Sequence, residues 1–228
     1  MPLTRRQAIA ALTGVAAGHI LTGVARAQGN EMAGVLIEAV NSGDAARVSA
    51  EIANGAALEQ RDTAKRTPLL LATRANHVEI ARLLIEAGAG VNAKDNIRDT
   101  PFLYAGAEGR NDILRLILAT GKAKLDDTNR YGGNALIPAA HHGHPDTVRI
   151  LIDAGLDVDH VNNLGWTALL EAVILGDGGP TYQEIVGILL DGGADAAIAD
   201  RDGVTPLEHA RRMGHNAIAK LIETRAGK

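Results

Sequence analysis

Cysteine is absent from the 228 residues. That excludes disulfides, thiolate catalysis and cysteine-ligated zinc. Serine is almost as scarce: Ser42 and Ser49 are the only two, both far in sequence from the histidine-rich segment at 141–144. A serine nucleophile with a histidine base therefore has no material. Aromatic residues make up 2% of the chain, namely Phe102, Tyr104, Tyr131, Trp166 and Tyr182. Since 46% of the residues are apolar, a core can form, but from Ala, Leu, Ile and Val rather than from rings, which suits small helices packed closely. Phosphate-loop chemistry is missing too. Gly176-Asp177-Gly178-Gly179 is glycine-rich, yet no strand pattern precedes it and no lysine follows it.

Acidic residues are lacking at the N-terminus, where none precedes Glu31. Residues 1–27 instead carry Arg5 and Arg6, an apolar Ala/Gly/Leu/Val stretch from Ala8 to Val24, and Ala25-Arg26-Ala27 with small residues at both positions of a cleavage site. The stretch is too short and too glycine-rich for an ordinary membrane span, which needs ~20 strongly apolar residues. It is read as an export signal cleaved after Ala27, with a disordered or anchoring N-terminus as the alternative. Thr4-Arg5-Arg6-Gln7-Ala8-Ile9 resembles a twin-arginine signal, with Ala8 where that pattern has a bulky apolar residue. Ordinary secretion fits the same stretch. Either route leads to the bacterial periplasm or beyond. Removing Arg5, Arg6 and Arg26 from 23 basic residues leaves 20 against 27 acidic ones, a formal charge of −7 from Gln28 onward. Such a chain repels phosphate-rich partners, so nucleic acid and anionic membrane are not expected to bind.

What is present is a period. TPLLLATRANHVEIARLLIEAGA, TPFLYAGAEGRNDILRLILATGK, NALIPAAHHGHPDTVRILIDAGL and TPLEHARRMGHNAIAKLIE align without gaps. Their leading residues, with that of a further copy, are Thr67, Thr100, Asn134, Thr167 and Thr205, in steps of 33, 34, 33 and 38. The glycines that close each unit, Gly55, Gly88, Gly121, Gly155 and Gly193, step by 33, 33, 34 and 38. Thr followed by Pro supplies a capping hydroxyl and then a preset φ at the first helical position; Asn134 can cap in the same way. Gly109, Gly143 or Gly214 breaks the first helix, and Ile80, Leu83 and Leu84 lie on one face of the second. Each unit is thus two short helices.

These units resemble ankyrin repeats, whose pattern includes T-P-L-H near the start and G-H before the second helix. The matching residues are Thr67-Pro68-Leu69, Thr205-Pro206-Leu207, Gly143-His144 and Gly214-His215. The histidine usual after T-P-L is replaced by Leu70, Leu103, Ile137, Leu170 and Glu208. The resemblance implies an all-α solenoid of about six helix-turn-helix units, approximately 29–61, 62–94, 95–128, 129–161, 162–199 and 200–228, with capping units at both ends.

Two irregularities mark the array: one extra residue in KAKLDDTNRYGG and five in Leu175–Tyr182. Family geometry sends the finger before each T-P and the end of each first helix into the concave groove. On that geometry Arg130, Tyr131, Gly133, His141 and His142 in the fourth unit face the groove, as do Asn163, Leu164, Trp166, Ile174 and Leu175 in the fifth. Of these, Arg130, Tyr131, His141, His142, Asn163 and Trp166 are the expected partner-binding residues, together with Glu171, which replaces a normally apolar helix position, and Asp177 in the insertion. Trp, Tyr and Arg dominate interface energetics. The expectation is a non-enzymatic, monomeric module that binds a protein in the periplasm without cofactor or metal. A second reading is a small-molecule or metal site, possibly catalytic, around His141, His142, Trp166, Glu171 and the 176–180 loop. Geometry discriminates: a flat groove fits a protein, whereas a pocket on which Glu171 and His141 converge fits a ligand.

Overall fold

In a computed structural model, which describes residues 34–225, helix starts follow the predicted caps. Thr67, Thr100, Thr167 and Thr205 are extended, and the hydroxyl of each accepts from the backbone N–H three residues on. In the last unit Glu208 completes a capping box with Thr205. Asn134 does the same work differently. Its Oδ1 accepts from the N–H groups of Leu136 and Ile137 at 3.1 and 3.4 Å, while its Nδ2 donates to the Asp157 carbonyl. No histidine after T-P-L is needed for these starts.

The described residues form twelve helices: α1 (34–42), α2 (Ala45–Ala53), α3 (Pro68–Ala75), α4 (Val78–Glu86), α5 (Pro101–Ala107), α6 (Asn111–Ala119), α7 (Leu136–His141), α8 (Pro145–Asp153), α9 (Ala168–Ile174), α10 (Pro180–Asp191), α11 (Pro206–Arg212) and α12 (Asn216–Arg225). From α3 to α12 they pack as consecutive pairs in two layers, and α1 precedes α2 across the short turn at 43–44. α3, α5, α7, α9 and α11 stack in order as the inner layer, and the even-numbered helices stack behind them. No strand occurs among the described residues. The all-α solenoid of six units is therefore the observed architecture. Among the described residues no helix is long and apolar enough to cross a membrane. The export reading of residues 1–27 lies outside the described residues.

The core runs between the layers as one continuous row: Leu69, Leu84, Phe102, Ile113, Ile117, Leu136, Leu151, Leu169, Ile185 and Leu189 are all essentially inaccessible to solvent. Burying each such side chain contributes ~1.5–3 kcal/mol. Small residues set the spacing of the inner layer. Ala139 and Ala140 are fully buried, and a Cβ placed on Gly106 of α5 would lie 2.8 Å from the Ala135 Cβ of the next unit.

The G-H histidines are structural. His144 precedes α8 and lays its ring on Gly109 of the previous unit, where a Cβ would meet ring atoms at 3.0 Å. His77 sits likewise on Gly43, and His215 on Gly178. All three glycines have positive φ, so both backbone and packing require glycine there.

The five-residue insertion is absorbed in two places. The connection between the helices of the fifth unit (175–179) is longer than its counterpart (142–144), and α10 has 12 residues where α8 has 9. The extra turn carries Tyr182, whose ring covers Gly176 and whose hydroxyl donates to the His141 carbonyl at 2.8 Å.

Candidate functional site

Five fingers project from the array, and a single Asp or Asn holds each of them. In the finger 129–133, Asn129 N–H donates to the Gly133 carbonyl and Gly132 N–H to the Asn129 carbonyl. The Asn129 side-chain oxygen accepts from the N–H groups of Tyr131 and Gly133. Asp62, Asp95, Asn162 and Asp200 repeat this arrangement. The short polar side chain satisfies the turn from within and fixes what stands at its tip, two residues on. That tip row reads Ala64, Ile97, Tyr131, Leu164 and Asp202. Its three central members are large, apolar and exposed: Ile97 41%, Tyr131 55% and Leu164 52%.

Nine residues beyond each finger Asx stands the second row, Leu71, Tyr104, Pro138, Glu171 and His209 on the inner helices. Between the two rows, across the third to fifth units, lies a cavity of about 410 Å³. Its floor includes Pro138, Ile137 and Glu171. Tyr104, Glu108, His141 and His142 stand along the inner-helix side, and Arg130, Tyr131 and Leu164 along the finger side, with Asp99 and Leu175 also in its lining.

Glu171 is 6% exposed. Its Oε1 accepts from Asn162 Nδ2 at 2.8 Å, and Oε2 lies 3.6 Å from His141 Nδ1. Burial pushes this carboxyl up to about 7, against the Asn162 hydrogen bond and the nearby His142, which favour the anion. Burial, with the charge of His142, lowers the His141 imidazole below its usual value. His144 is lowered chiefly by burial as well. Asp99 is raised by burial and by Asp95, while Arg130 and Arg74 oppose this.

His141 and His142 are not splayed as far as helical spacing suggests, since their ring centres are 4.9 Å apart. They nevertheless serve different partners. His142 Nδ1 donates to the Ala107 carbonyl at 2.7 Å, while His141 Nδ1 is directed toward Glu171. Among the described residues no three His, Asp or Glu side chains form a metal-ligand group.

With this geometry in place, comparison with known proteins is direct. The profile of ankyrin repeats (three copies) matches residues 36–129 and 121–197. The chain belongs to the ankyrin-repeat family. An ankyrin repeat domain from Acinetobacter baumannii AYE is 54% identical, with a TM-score of 0.81 over 84% of this chain and 97% of that one. The ankyrin repeat domain of Bcl-3, a member of the IκB family, is 27% identical with a TM-score of 0.76, covering 84% of this chain and 86% of that one. Among curated proteins, the putative ankyrin repeat protein YahD of Escherichia coli K12 is 43% identical over 102 residues, 44% of this chain. The match spans about half of YahD, 51% of its length. Ankyrin repeats mediate protein interactions, and proteins built of them are generally non-enzymatic binding modules.

The ankyrin array brings Arg130, Tyr131, His141, His142 and Glu171 together in one cavity. The other three expected residues stand apart from its lining. Trp166 is half-buried at the base of its finger, its N–H held by Asn162. Asn163 is exposed on that finger, where its N–H donates to the Tyr131 carbonyl. Asp177 is exposed in the inserted loop and caps Gly179 N–H. Sequence reasoning missed Asp99, Tyr104, Glu108 and Asn162. The signal for Asn162 was available: the finger Asx residues repeat in the same 33, 34, 33 and 38 steps as the helix caps.

Proposed function

We propose that this ankyrin array acts in the bacterial periplasm, as a monomer, by holding a segment of a protein partner against the concave side of its third to fifth repeats. The observation that carries this reading is the row of exposed apolar fingertips, Ile97, Tyr131 and Leu164, alongside the cavity. Three large apolar side chains in a line form a surface that gains by being covered. Fixed fingers also lose little entropy on binding, which leaves more of the contact energy as affinity. The periplasmic location is supported by the export-signal character of residues 1–27.

The test is capture of a partner from periplasmic extract by the full chain. Leu164→Asp is expected to reduce capture at least tenfold with an unchanged melting temperature, because Asp202 shows that this finger position accepts aspartate. Ala64→Asp, the same change at the equivalent tip of the second repeat, is expected to leave capture intact. Equal capture by Leu164→Asp and the unaltered chain contradicts the proposal.

A second reading, a small-ligand site, is favoured by one observation: Glu171 and His141 converge on a cavity whose volume falls within the ~300–1,000 Å³ typical of ligand sites.

A further inference from the structure

We infer that the cavity between the fingers and inner helices of the third to fifth repeats takes a primary ammonium on an unbranched aliphatic stem, as a lysine side chain presents it. This deepens the concave-face reading and rests on it for the protein source of the group.

The sign of the charge comes from the lining. Three carboxylates, Asp99, Glu108 and Glu171, line the cavity with one guanidinium, Arg130. Asp99 also lies 3.9 Å from Arg74 and Glu108 3.9 Å from His142, and Glu171 has no basic side chain in hydrogen-bond reach. Arg130 itself is engaged, lying over the Tyr131 ring at 4.6 Å. The second aromatic of the lining, Tyr104, is covered in the same way by Arg74 at 4.4 Å. Each ring already carries a guanidinium on one face, and that charge opposes a methylated ammonium, whose recognition uses several open aromatic faces.

The choice of ammonium over guanidinium comes from Glu171. Oε1 is taken by Asn162, and Oε2 accepts no hydrogen bond from the described residues although the side chain is 8% exposed. A guanidinium gains its advantage by gripping both carboxylate oxygens, whereas an ammonium is a point donor satisfied by one. The single free oxygen of Glu171 therefore fits an ammonium. The aliphatic stem follows from the apolar part of the lining, where Ile137 and Pro138 share the floor with Glu171 and Leu164 stands on the finger side. His141 does not satisfy Oε2 in the ligand's place. Its distance of 3.6 Å is too long for a hydrogen bond, and burial and His142 both favour its neutral form.

Affinity should rise with pH through about 7, where Glu171 loses its proton, because an ammonium is held by the anion. The groups facing Glu171 are His141 and His142 on α7, with Glu108, Asp99 and Arg130 around the cavity. Of the charged groups on the other helices packed against α9, Glu184 of α10 pairs with Arg149 and Asp191 with Arg225; on α11, His209 binds Asp200, Glu208 caps Thr205, Arg211 pairs with Glu223 and Arg212 is exposed to solvent.

Calorimetric titration of the full chain with 1,5-diaminopentane and with N-acetyl-lysine methylamide tests the inference, with the norleucine and arginine analogues of the latter as controls. One saturable site for at least one of the two amines is expected, with affinity at least tenfold weaker for both controls. Glu171→Gln should weaken it at least tenfold. This variant keeps the Asn162 hydrogen bond, and an unchanged or raised melting temperature confirms that it folds. Affinity at pH 8 should exceed that at pH 6. Saturation by the diamine alone assigns the site to free amines and saturation by the lysine derivative to a protein side chain; each supports the chemistry. Absence of saturation by either amine, equal binding of norleucine, or undiminished binding by Glu171→Gln overturns it. Persistent partner capture alongside such a result would leave the concave-face reading standing and this inference refuted.

Discussion

Glu171 occupies a helix position that is Leu, Tyr or Pro in the three preceding units, and its burial costs stability. An ordinary carboxyl near 4.5 raised to about 7 means that the folded chain holds a proton which the unfolded chain has released. The stabilising protonated state is complete below pH 4.5, is lost as pH rises, and is gone above pH 7. Glu171→Gln removes the titration while keeping an oxygen for Asn162. The variant should match the unaltered chain near pH 4 and exceed it by ~1–3 kcal/mol at pH 8, the full shift being discounted for the open cavity. Thermal melts at the two pH values check this, and equal melting temperatures at pH 8 would show the carboxylate to be well solvated. A residue that costs stability where it stands is a mark of a site rather than of a scaffold. Its substitution was legible in the sequence, because the period defines which position ought to be apolar. Trp166 was less legible. A lone tryptophan beside a finger reads as an anchor, yet its side chain is half-buried while the tip of that finger is Leu164. Which residue of a turn stands outermost depends on the Asx hydrogen bonds that shape it, not on residue size.

At the level of helices and turns, local chemistry carried most of the information. Thr-Pro starts and glycine stops need only neighbouring residues, so they could be read directly. Contacts between units could not. Gly106 reads as a weak helix residue, but it marks the close approach of α5 to α7, where an added methyl would meet the Ala135 Cβ at 2.8 Å. Two effects compete in Gly106→Ala. Helix propensity favours alanine by ~1 kcal/mol, and overpacking costs ~1–3 kcal/mol. A contact this short between two α-carbon substituents has no flexible end to yield, so overpacking should win. The melting temperature is expected to fall by about 2–6 °C, given ~2–4 °C per kcal/mol for an array of this size. A rise would mean that the inner helices slide apart freely. The insertion tells the same story. Its length and place were visible, while its division between a longer loop and an extra turn of α10 is decided by where Tyr182 can pack on Gly176 and reach the His141 carbonyl.

Across the whole molecule, six pairs of short helices with a continuous core present a rigid surface, and exposure of large apolar residues concentrates on its middle fingers. The fold was legible because a repeat states its rule several times over, so one weak match is corrected by the next. The cavity was not, because it is the space left where Pro138 and Gly133 fail to fill what larger residues would, and such space belongs to no single repeat. The face used for recognition follows from that arrangement and not from the fold, since every unit after the first has a finger but only the third to fifth carry Ile97, Tyr131 and Leu164 at the tips. Hydrogen exchange of the chain, alone and with the partner captured from periplasm, measures this directly. The account predicts slowed exchange in the fingers 95–99, 129–133 and 162–166 and at the ends of α7 and α9, with α4, α6 and α8 unchanged. Protection confined to those outer helices, with the three fingers exchanging as in the free chain, would contradict it.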